Sequence, residues 1–146
     1  MNKARVLFLC TGNSCRSQMA EAIVNSHLGE KWEAFSAGSH PAGYVHPLAV
    51  KALSEIGIDH QGRSKSIDEF RHLPFDLVVT LCDQADAECP VWLGKGRRLH
   101  TPFPDPAKVT GSDAERMAAF RAVRDAIAKE ITELLAHLET RGEGLE

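Results

Sequence analysis

The sequence predicts an α/β fold in which a four-stranded parallel sheet is flanked by helices. Short apolar runs alternate with longer segments in which apolar residues recur every three or four positions. Strands separated by helices form βαβ units, which give a parallel sheet with right-handed crossovers. A chain of 146 residues falls within the usual size of one domain, so we expect a single domain over residues 1–146.

Each predicted element follows from its pattern of apolar residues. The apolar runs predict strands over residues 6–9, 32–36, 76–80 and 97–100. Helical spacing predicts helices over residues 17–28, 47–56 and 113–138. The last helix carries one apolar face, formed by Met117, Phe120, Val123, Ile127, Ile131, Leu134, Leu135 and Leu138. That face is expected to bury itself against the rest of the domain.

Composition and charge exclude several classes of function. A hydrophobic content of 43% and a charged content of 25% are ordinary for a soluble globular protein. The net charge of −3 and the absence of a long basic block argue against nucleic-acid binding. The apolar run near the N-terminus is shorter than the roughly 7–15 residues of a signal peptide, and no run approaches the roughly 20 residues that cross a bilayer. We expect a cytoplasmic monomer that binds no membrane.

The segment RVLFLCTGNSCRSQMAE places Cys10 where the first predicted strand ends and Arg16 where the first helix begins. A strand-to-helix loop of this kind turns backbone N–H groups inward at a positive helix end and binds anions. The N–H dipoles and Arg16 favour a thiolate, so Cys10 is a candidate nucleophile toward a tetrahedral oxyanion. Residues 10–17 are called the anion loop below, and its predicted binding residues are Thr11, Gly12, Asn13, Ser14, Cys15, Arg16 and Ser17. The alternative is a packed strand-end cysteine beside a surface arginine.

A second candidate residue is Asp105 in the sequence Phe103-Pro104-Asp105-Pro106. As a general acid it would protonate the oxygen that leaves the bound anion. The alternative is an ordinary turn aspartate, because Asp and Pro are common in turns. Ligands of parallel sheets bind beyond the carboxyl ends of the strands, and both Cys10 and Asp105 follow predicted strands. We therefore expect them to lie at one edge of the sheet.

Cys82 and Cys89 form a further pair of candidate residues, separated by good helix formers. In a helix, seven residues at about 1.5 Å each would hold their Cα atoms roughly 10 Å apart. A disulfide usually needs a separation within about 7 Å, so oxidation is expected to change the conformation of residues 82–92. Two unrelated structural thiols are the alternative. For Cys15 we favour a structural thiol, since most free cysteines are packing residues.

The four cysteines and seven histidines also raise the question of a zinc site. The spacings Cys-x4-Cys and Cys-x6-Cys differ from the usual pairs of zinc ligands, and the histidines are scattered. The sequence therefore predicts neither a metal site nor a cofactor. Because cytoplasmic cysteines stay reduced, a set of this kind more often carries chemistry than structural disulfides.

Together these motifs carry a family resemblance over residues 6–138. The Cys-x5-Arg-Ser arrangement and the later Phe-Pro-Asp-Pro sequence resemble the low-molecular-weight tyrosine phosphatase fold. CTGNSCRSQMAE and VVTLCDQADAECP are similar to sequences of the thioredoxin-coupled arsenate reductases. The resemblance implies that Cys10 attacks arsenate, that Asp105 helps a hydroxyl to leave, and that a Cys10–Cys82 disulfide is followed by a Cys82–Cys89 disulfide, which thioredoxin reduces.

Two other functions remain open at this stage. One is a phosphatase that uses only Cys10, Arg16 and Asp105. Phosphatase relatives typically carry aromatic residues just after the aspartate, whereas this chain continues with Pro-Ala-Lys-Val. The other is a thiol module that senses arsenite or a metal, which would bind its ligand without turnover.

The sequence departs from the family pattern at Lys65. In some relatives a potassium ion is held by oxygens at the positions of Asn13, Glu21, Ser36 and an aspartate, and Lys65 stands at the position of that aspartate. An ammonium cannot ligate a cation. We expect the Lys65 ammonium to occupy or guard the ion position by donating to Glu21, Asn13 or Ser36; the alternative is a solvated surface lysine.

Overall fold

The computed structural model describes residues 3–83, 92, 94 and 96–140. Its four strands form one parallel sheet in the order β2-β1-β3-β4. Their bounds are β1 Ala4–Cys10, β2 Trp32–Gly38, β3 Leu77–Thr80 and β4 Arg97–His100. The four-stranded parallel sheet predicted from the sequence is confirmed.

Three helices flank the sheet, as predicted: α1 Arg16–His27, α2 Pro47–Ser54 and α3 Asp113–Thr140. Short 3-10 turns lie at Ile67–Glu69 and Pro106–Lys108. Helix α2 ends two residues before its predicted end, just ahead of Gly57, whose φ of 82° interrupts a right-handed helix. Strand β2 runs two residues further than predicted because Gly38 still pairs with Cys10. Within the described residues, no helix is long and apolar enough to cross a membrane.

The core lies on both faces of the sheet, and the central strand β1 is buried on each. Val6 and Phe8 belong to the larger apolar cluster, which includes the buried faces of the three helices. Leu7 and Leu9 point to the opposite face and pack in a smaller cluster with Phe75 and neighbouring apolar residues. This double burial fixes the register of β1 and therefore the position of Cys10 at its end.

Helices α2 and α3 are joined by a polar contact centred on Glu55. Arg121 donates to both carboxylate oxygens, at 2.8 and 2.7 Å. The mostly buried Arg124 donates to Glu55 Oε1 at 3.0 Å and to the carbonyl oxygen of Ala52 at 3.0 Å. These hydrogen bonds, first the one from Arg121, lower the pKa of Glu55 from 4.5 to about 2.

We predict that Glu55→Gln lowers the free energy of unfolding at neutral pH by more than Glu133→Gln, an exposed control on α3. The lowered pKa means that the ionised Glu55 stabilises the fold above pH 4.5 and that this contribution fades as the pH falls toward about 2. Urea unfolding across this pH range measures the difference. A gap between the two variants that stays constant down to the lowest pH would contradict the assignment.

Candidate active site

The candidate nucleophile Cys10 is the last residue of β1 and is almost completely buried. Its sulfur lies 2.8 Å from Ser17 Oγ. That hydroxyl accepts a hydrogen bond from Asn13 Nδ2 at 2.8 Å, so its own proton is available for the sulfur. A hydroxyl that donates to sulfur stabilises the thiolate over the thiol.

The carbonyl groups of the anion loop point outward and are bound by the surrounding segments. The amide of His40 donates to the carbonyl of Thr11, that of Ala42 to Gly12 and that of His46 to Ser14, each at 2.9 Å. The hydroxyl of Ser64 also donates to the Gly12 carbonyl, and the Gln18 amide donates to the Asn13 carbonyl. Every carbonyl from residue 11 to residue 14 therefore has a partner outside the turn.

Outward carbonyls direct the amide groups inward. In a trans peptide the N–H of the following residue points opposite to the C=O, so the N–H groups of residues 12–15 converge on the inside of the loop. Asn13 adopts a left-handed backbone with φ of 48°, which Asn tolerates better than most residues. The convergent N–H groups form an anion site at the N-terminus of α1. The hydroxyl of Thr11 is buried and has no hydrogen-bond partner among the described residues.

Gly38 allows the end of β2 to approach this loop closely. A Cβ atom at position 38 would lie 2.4 Å from the carbonyl oxygen of Thr11 and 2.9 Å from the amide nitrogen of Asn13. Both are backbone atoms of the loop, which cannot move without changing its shape. Glycine is therefore required at this position by the geometry of the anion site.

Arg16 and Asp105 meet beside the loop. The Arg16 guanidinium is almost fully buried and donates to the carbonyl oxygen of Phe103 at 3.0 Å. Its Nη2 lies 3.8 Å from Asp105 Oδ2, while Asp105 Oδ1 accepts from the amide of Ala107 at 3.0 Å. The structure thus brings the predicted cation and the predicted acid together, and both belong to one site.

Cys15 lies in the loop but differs chemically from Cys10. The pKa of the Cys15 thiol is raised from 9.0 to about 12, mainly by burial and to a smaller extent by the charges of Asp105 and Cys10. A hydrogen bond with Ser14 and the charge of Arg16 lower it by less. Cys15 is therefore a neutral thiol at physiological pH, which supports its interpretation as a structural residue.

Cys82 lies at the same edge of the sheet as Cys10. Leu9 pairs with Thr80, and the amide of Leu81 donates to the carbonyl oxygen of Leu9 at 2.8 Å. Cys82 is the next residue and is buried. Cys89 lies outside the described residues, as do most residues of the 82–92 segment, so the separation predicted between Cys82 and Cys89 stays a prediction.

The side chain of Lys65 is directed behind the anion loop. Its ammonium lies 3.5 Å from Glu21 Oε1, 3.4 Å from Ser36 Oγ and 3.0 Å from the carbonyl oxygen of Arg63. The residue is only 9% exposed, so a solvated surface lysine is excluded. The expected contacts with Glu21 and Ser36 are present, and Asn13 Oδ1 is bound by the backbone amide of Lys65 at 2.8 Å.

A family model described as low molecular weight phosphotyrosine protein phosphatase matches residues 5–143. The chain belongs to this family. An arsenate reductase from Halalkalibacterium halodurans is 51% identical over 132 residues, which cover 90% of this chain and 94% of that protein. The predicted relationship to arsenate reductases of the phosphatase fold is therefore confirmed.

Solved structures of the family show the same fold. An arsenate reductase in its phosphate-binding state superposes with a TM-score of 0.72 at 29% identity, and the match covers 92% of this chain and 98% of the other. The thioredoxin-dependent arsenate reductase of Corynebacterium glutamicum superposes with a TM-score of 0.66 at 29% identity, over 95% of this chain and 63% of the other. Both likenesses extend over nearly the whole chain.

The sequence alone does not predict the two segments that donate hydrogen bonds to the outer side of the anion loop. Residues 38–46 supply backbone amides to the loop carbonyls, and residues 60–65 supply Ser64 and the Lys65 amide. The sequence pattern places Gln18 in helix α1 but does not indicate that its buried side chain binds Asn13. A backbone amide can come from almost any residue type, so the sequence does not reveal these donors, and only the Gly and Ser residues near position 62 indicate that the second segment is irregular.

Among the described residues, no group of three or more His, Cys, Asp or Glu side chains is arranged to hold a metal.

We predict that Gly38→Ala weakens phosphate binding by about tenfold or more, because overpacking against the loop backbone costs about 1–3 kcal/mol. The measurement is the rise in melting temperature on adding phosphate, relative to chloride at equal ionic strength. Gly57→Ala is the control: its φ of 82° makes alanine strained, but no atom lies within 4 Å of the new Cβ. It should lower the melting temperature and keep the phosphate response. An undiminished response in Gly38→Ala would contradict the close-approach argument.

Proposed function

We propose that the protein reduces arsenate to arsenite through a relay of the thiols Cys10, Cys82 and Cys89, with thioredoxin as the reductant. The observation that carries this proposal is a further buried thiol, Cys82, which directly follows Leu81, the residue whose amide donates to the carbonyl of Leu9 in β1. Phosphate-ester hydrolysis needs only one thiol, whereas reduction needs a second thiol to take up the oxidation. The names of the relatives support the same substrate.

The first step would use the anion loop to bind arsenate. The inward N–H groups would hold its oxygens, and Arg16 would bind two of them because a guanidinium presents paired donors. The Cys10 thiolate would attack arsenic and form a sulfur–arsenic bond. A hydroxide would leave from arsenic and depart as water with a proton from Asp105. The Ser17 hydroxyl, 2.8 Å from the sulfur, would donate a hydrogen bond to the attacking thiolate.

The second step would transfer the oxidation from arsenic to sulfur. The Cys82 thiolate would attack the Cys10 sulfur, and the electron pair of the broken sulfur–arsenic bond would remain on arsenic, which leaves as arsenite. Cys89 would then attack Cys82 and release the Cys10 thiolate. The Cys82–Cys89 disulfide would finally be reduced by thioredoxin. The attack of Cys89 and the reduction by thioredoxin are thiol–disulfide exchanges, each of which needs an ionised attacking thiol within reach.

Thioredoxin as the partner rests on the resemblance of the Cys82 segment and on the thioredoxin-dependent reductase of Corynebacterium glutamicum. If the protein turned over arsenate without Cys89, a glutathione- or mycothiol-type reductant would take the place of thioredoxin.

A weak phosphatase activity is a second candidate function, and the pairing of Arg16 with Asp105 beside Cys10 favours it. Phosphate has the same shape and charge as arsenate, so the same loop would bind a phosphate ester.

We predict that Cys82→Ser and Cys89→Ser each abolish arsenate turnover with thioredoxin, thioredoxin reductase and NADPH. Both should keep any hydrolysis of a small aryl phosphate, because only reduction needs the later thiols. Cys10→Ser should lose both activities, since a serine hydroxyl is barely ionised in the same loop. Coupled oxidation of NADPH and release of the aryl alcohol measure the two reactions. Normal turnover of Cys89→Ser with thioredoxin would rule out the three-thiol relay.

The second part of the proposal concerns Lys65, which would replace a bound potassium ion behind the anion loop. Its ammonium contacts Glu21 and Ser36, two of the positions that hold the ion in some relatives. A potassium ion does not fit there beside Lys65, because the positive charge of the buried ammonium would repel it. The tethered charge would then support the loop at any salt composition.

We predict that arsenate turnover of the wild type is the same in potassium and tetramethylammonium salts at equal ionic strength. Lys65→Asp should become dependent on potassium, because an aspartate restores an oxygen ligand beside Glu21. Steady-state rates of both proteins in the two salts measure this. Stimulation of the wild type by potassium would refute the replacement.

A further inference from the structure

A line of hydrogen bonds runs from the half-buried side chain of His60 to the sulfur of Cys10. His60 Nε2 lies 2.7 Å from Gln18 Oε1. Gln18 Nε2 lies 3.0 Å from Asn13 Oδ1, and Asn13 Nδ2 donates to Ser17 Oγ at 2.8 Å. Ser17 Oγ completes the line at 2.8 Å from the sulfur. Residues as far apart in sequence as 10 and 60 are thus linked through three intervening side chains.

The direction of every bond in this line can be assigned. Gln18 Nε2 faces three oxygens, which are the carbonyl and side-chain oxygens of Asn13 and the carbonyl of Arg63. The amino group of Gln18 must therefore point toward them, and its oxygen toward His60. Since an amide oxygen only accepts, His60 Nε2 carries the proton and donates. All four bonds then donate toward Cys10 when its sulfur is a thiolate, which can only accept.

Hydrogen bonds that share one direction polarise one another, so each bond in the line strengthens the bond to the last acceptor. The last acceptor here is the sulfur that becomes a thiolate. The Gln18 side chain is fully buried and has its oxygen satisfied by His60. Without that donor the buried amide oxygen would lose its partner, and the amide would turn away from Asn13 to find one.

Gly62 supplies a second, independent observation on the same bond. A Cβ atom at position 62 would lie 2.4 Å from His60 Nε2 and 2.5 Å from Gln18 Oε1. The exposed glycine therefore leaves the space that the two side chains need in order to meet. Its own φ is not in the left-handed region, so a Cβ at this position would displace the ends of these two side chains without straining the backbone.

We propose that His60 is a positioning residue that orients the Gln18 amide and, through Asn13 and Ser17, directs the final hydrogen bond onto the Cys10 sulfur. The inference rests on Cys10 as the nucleophile of the proposed function, but it requires no reaction with arsenate. Among the residues that the structure describes, the charged groups that act on His60 are Glu21 and Lys65. Both imidazole states keep the proton on Nε2, so the role does not depend on titration of His60.

The test is the rate at which iodoacetamide alkylates Cys10 in the reduced full-length protein. Mass spectrometry follows the peptide, and fragment ions distinguish Cys10 from Cys15. The rate at neutral pH is divided by the rate in strongly alkaline solution, where the thiol is fully ionised. This ratio reports the fraction of Cys10 that is ionised at neutral pH. A merely structural role of His60 would alter the access of iodoacetamide to Cys10, which changes both rates equally and leaves the ratio unchanged. No arsenate or thioredoxin is present, so the result is separate from the fate of the proposed function.

We expect His60→Ala to lower this ratio about threefold, the effect of one weakened hydrogen bond at the end of a polarised chain. Gly62→Ala should lower it similarly without replacing either partner. His60→Gln, whose amide can donate to Gln18, should restore most of the ratio, and exposed His72→Ala should leave it unchanged. A wild-type ratio in His60→Ala would overturn the proposal. Equal changes of the neutral and alkaline rates would also overturn it, because they would indicate altered access alone.

Discussion

The outward direction of the anion-loop carbonyls is the constraint on which the site depends. Each of these carbonyls has a donor in a segment that surrounds the loop, from the amide of His40 to the side chain of Gln18. A carbonyl without such a partner would rotate toward water and turn the next N–H group out of the site. The binding of an anion is therefore prepared by contacts that never touch it.

The fold places these donors by burying β1 on both sides. Its neighbours β2 and β3 pair in fixed register, so Gly38 meets Cys10 and Leu81 meets Leu9 at one edge. Helix α1 then begins at Arg16, with Ser17 and Gln18 on the side that faces the loop. Both thiols of the loop are buried, but their surroundings differ. The pKa of Cys15 is raised to about 12, mainly by its burial, which keeps that thiol protonated, while the Cys10 sulfur lies 2.8 Å from the Ser17 hydroxyl.

Most of the fold could be predicted because its signals are local. The apolar runs and the helical spacing of residues such as Phe120 and Ile127 depend on burial, which repeats along the chain. The candidate residues Cys10, Arg16 and Asp105 could be found because their chemistry is specific and their motifs are short. The supporting contacts could not, since backbone amides such as that of Ala42 carry no residue signature. The pairing of His60 with Gln18 joins positions 42 residues apart and required the tertiary structure.

The central claim is that Cys10 passes oxidation from arsenic to a second thiol of the same chain. The most direct measurement is a single turnover: reduced protein is mixed with one equivalent of arsenate without any reductant, and arsenite and free thiols are counted. The account predicts one arsenite per protein, two of the four cysteines lost as thiols, and an intramolecular disulfide that includes Cys82. Four free thiols with no arsenite formed would contradict it and leave an anion-binding phosphatase.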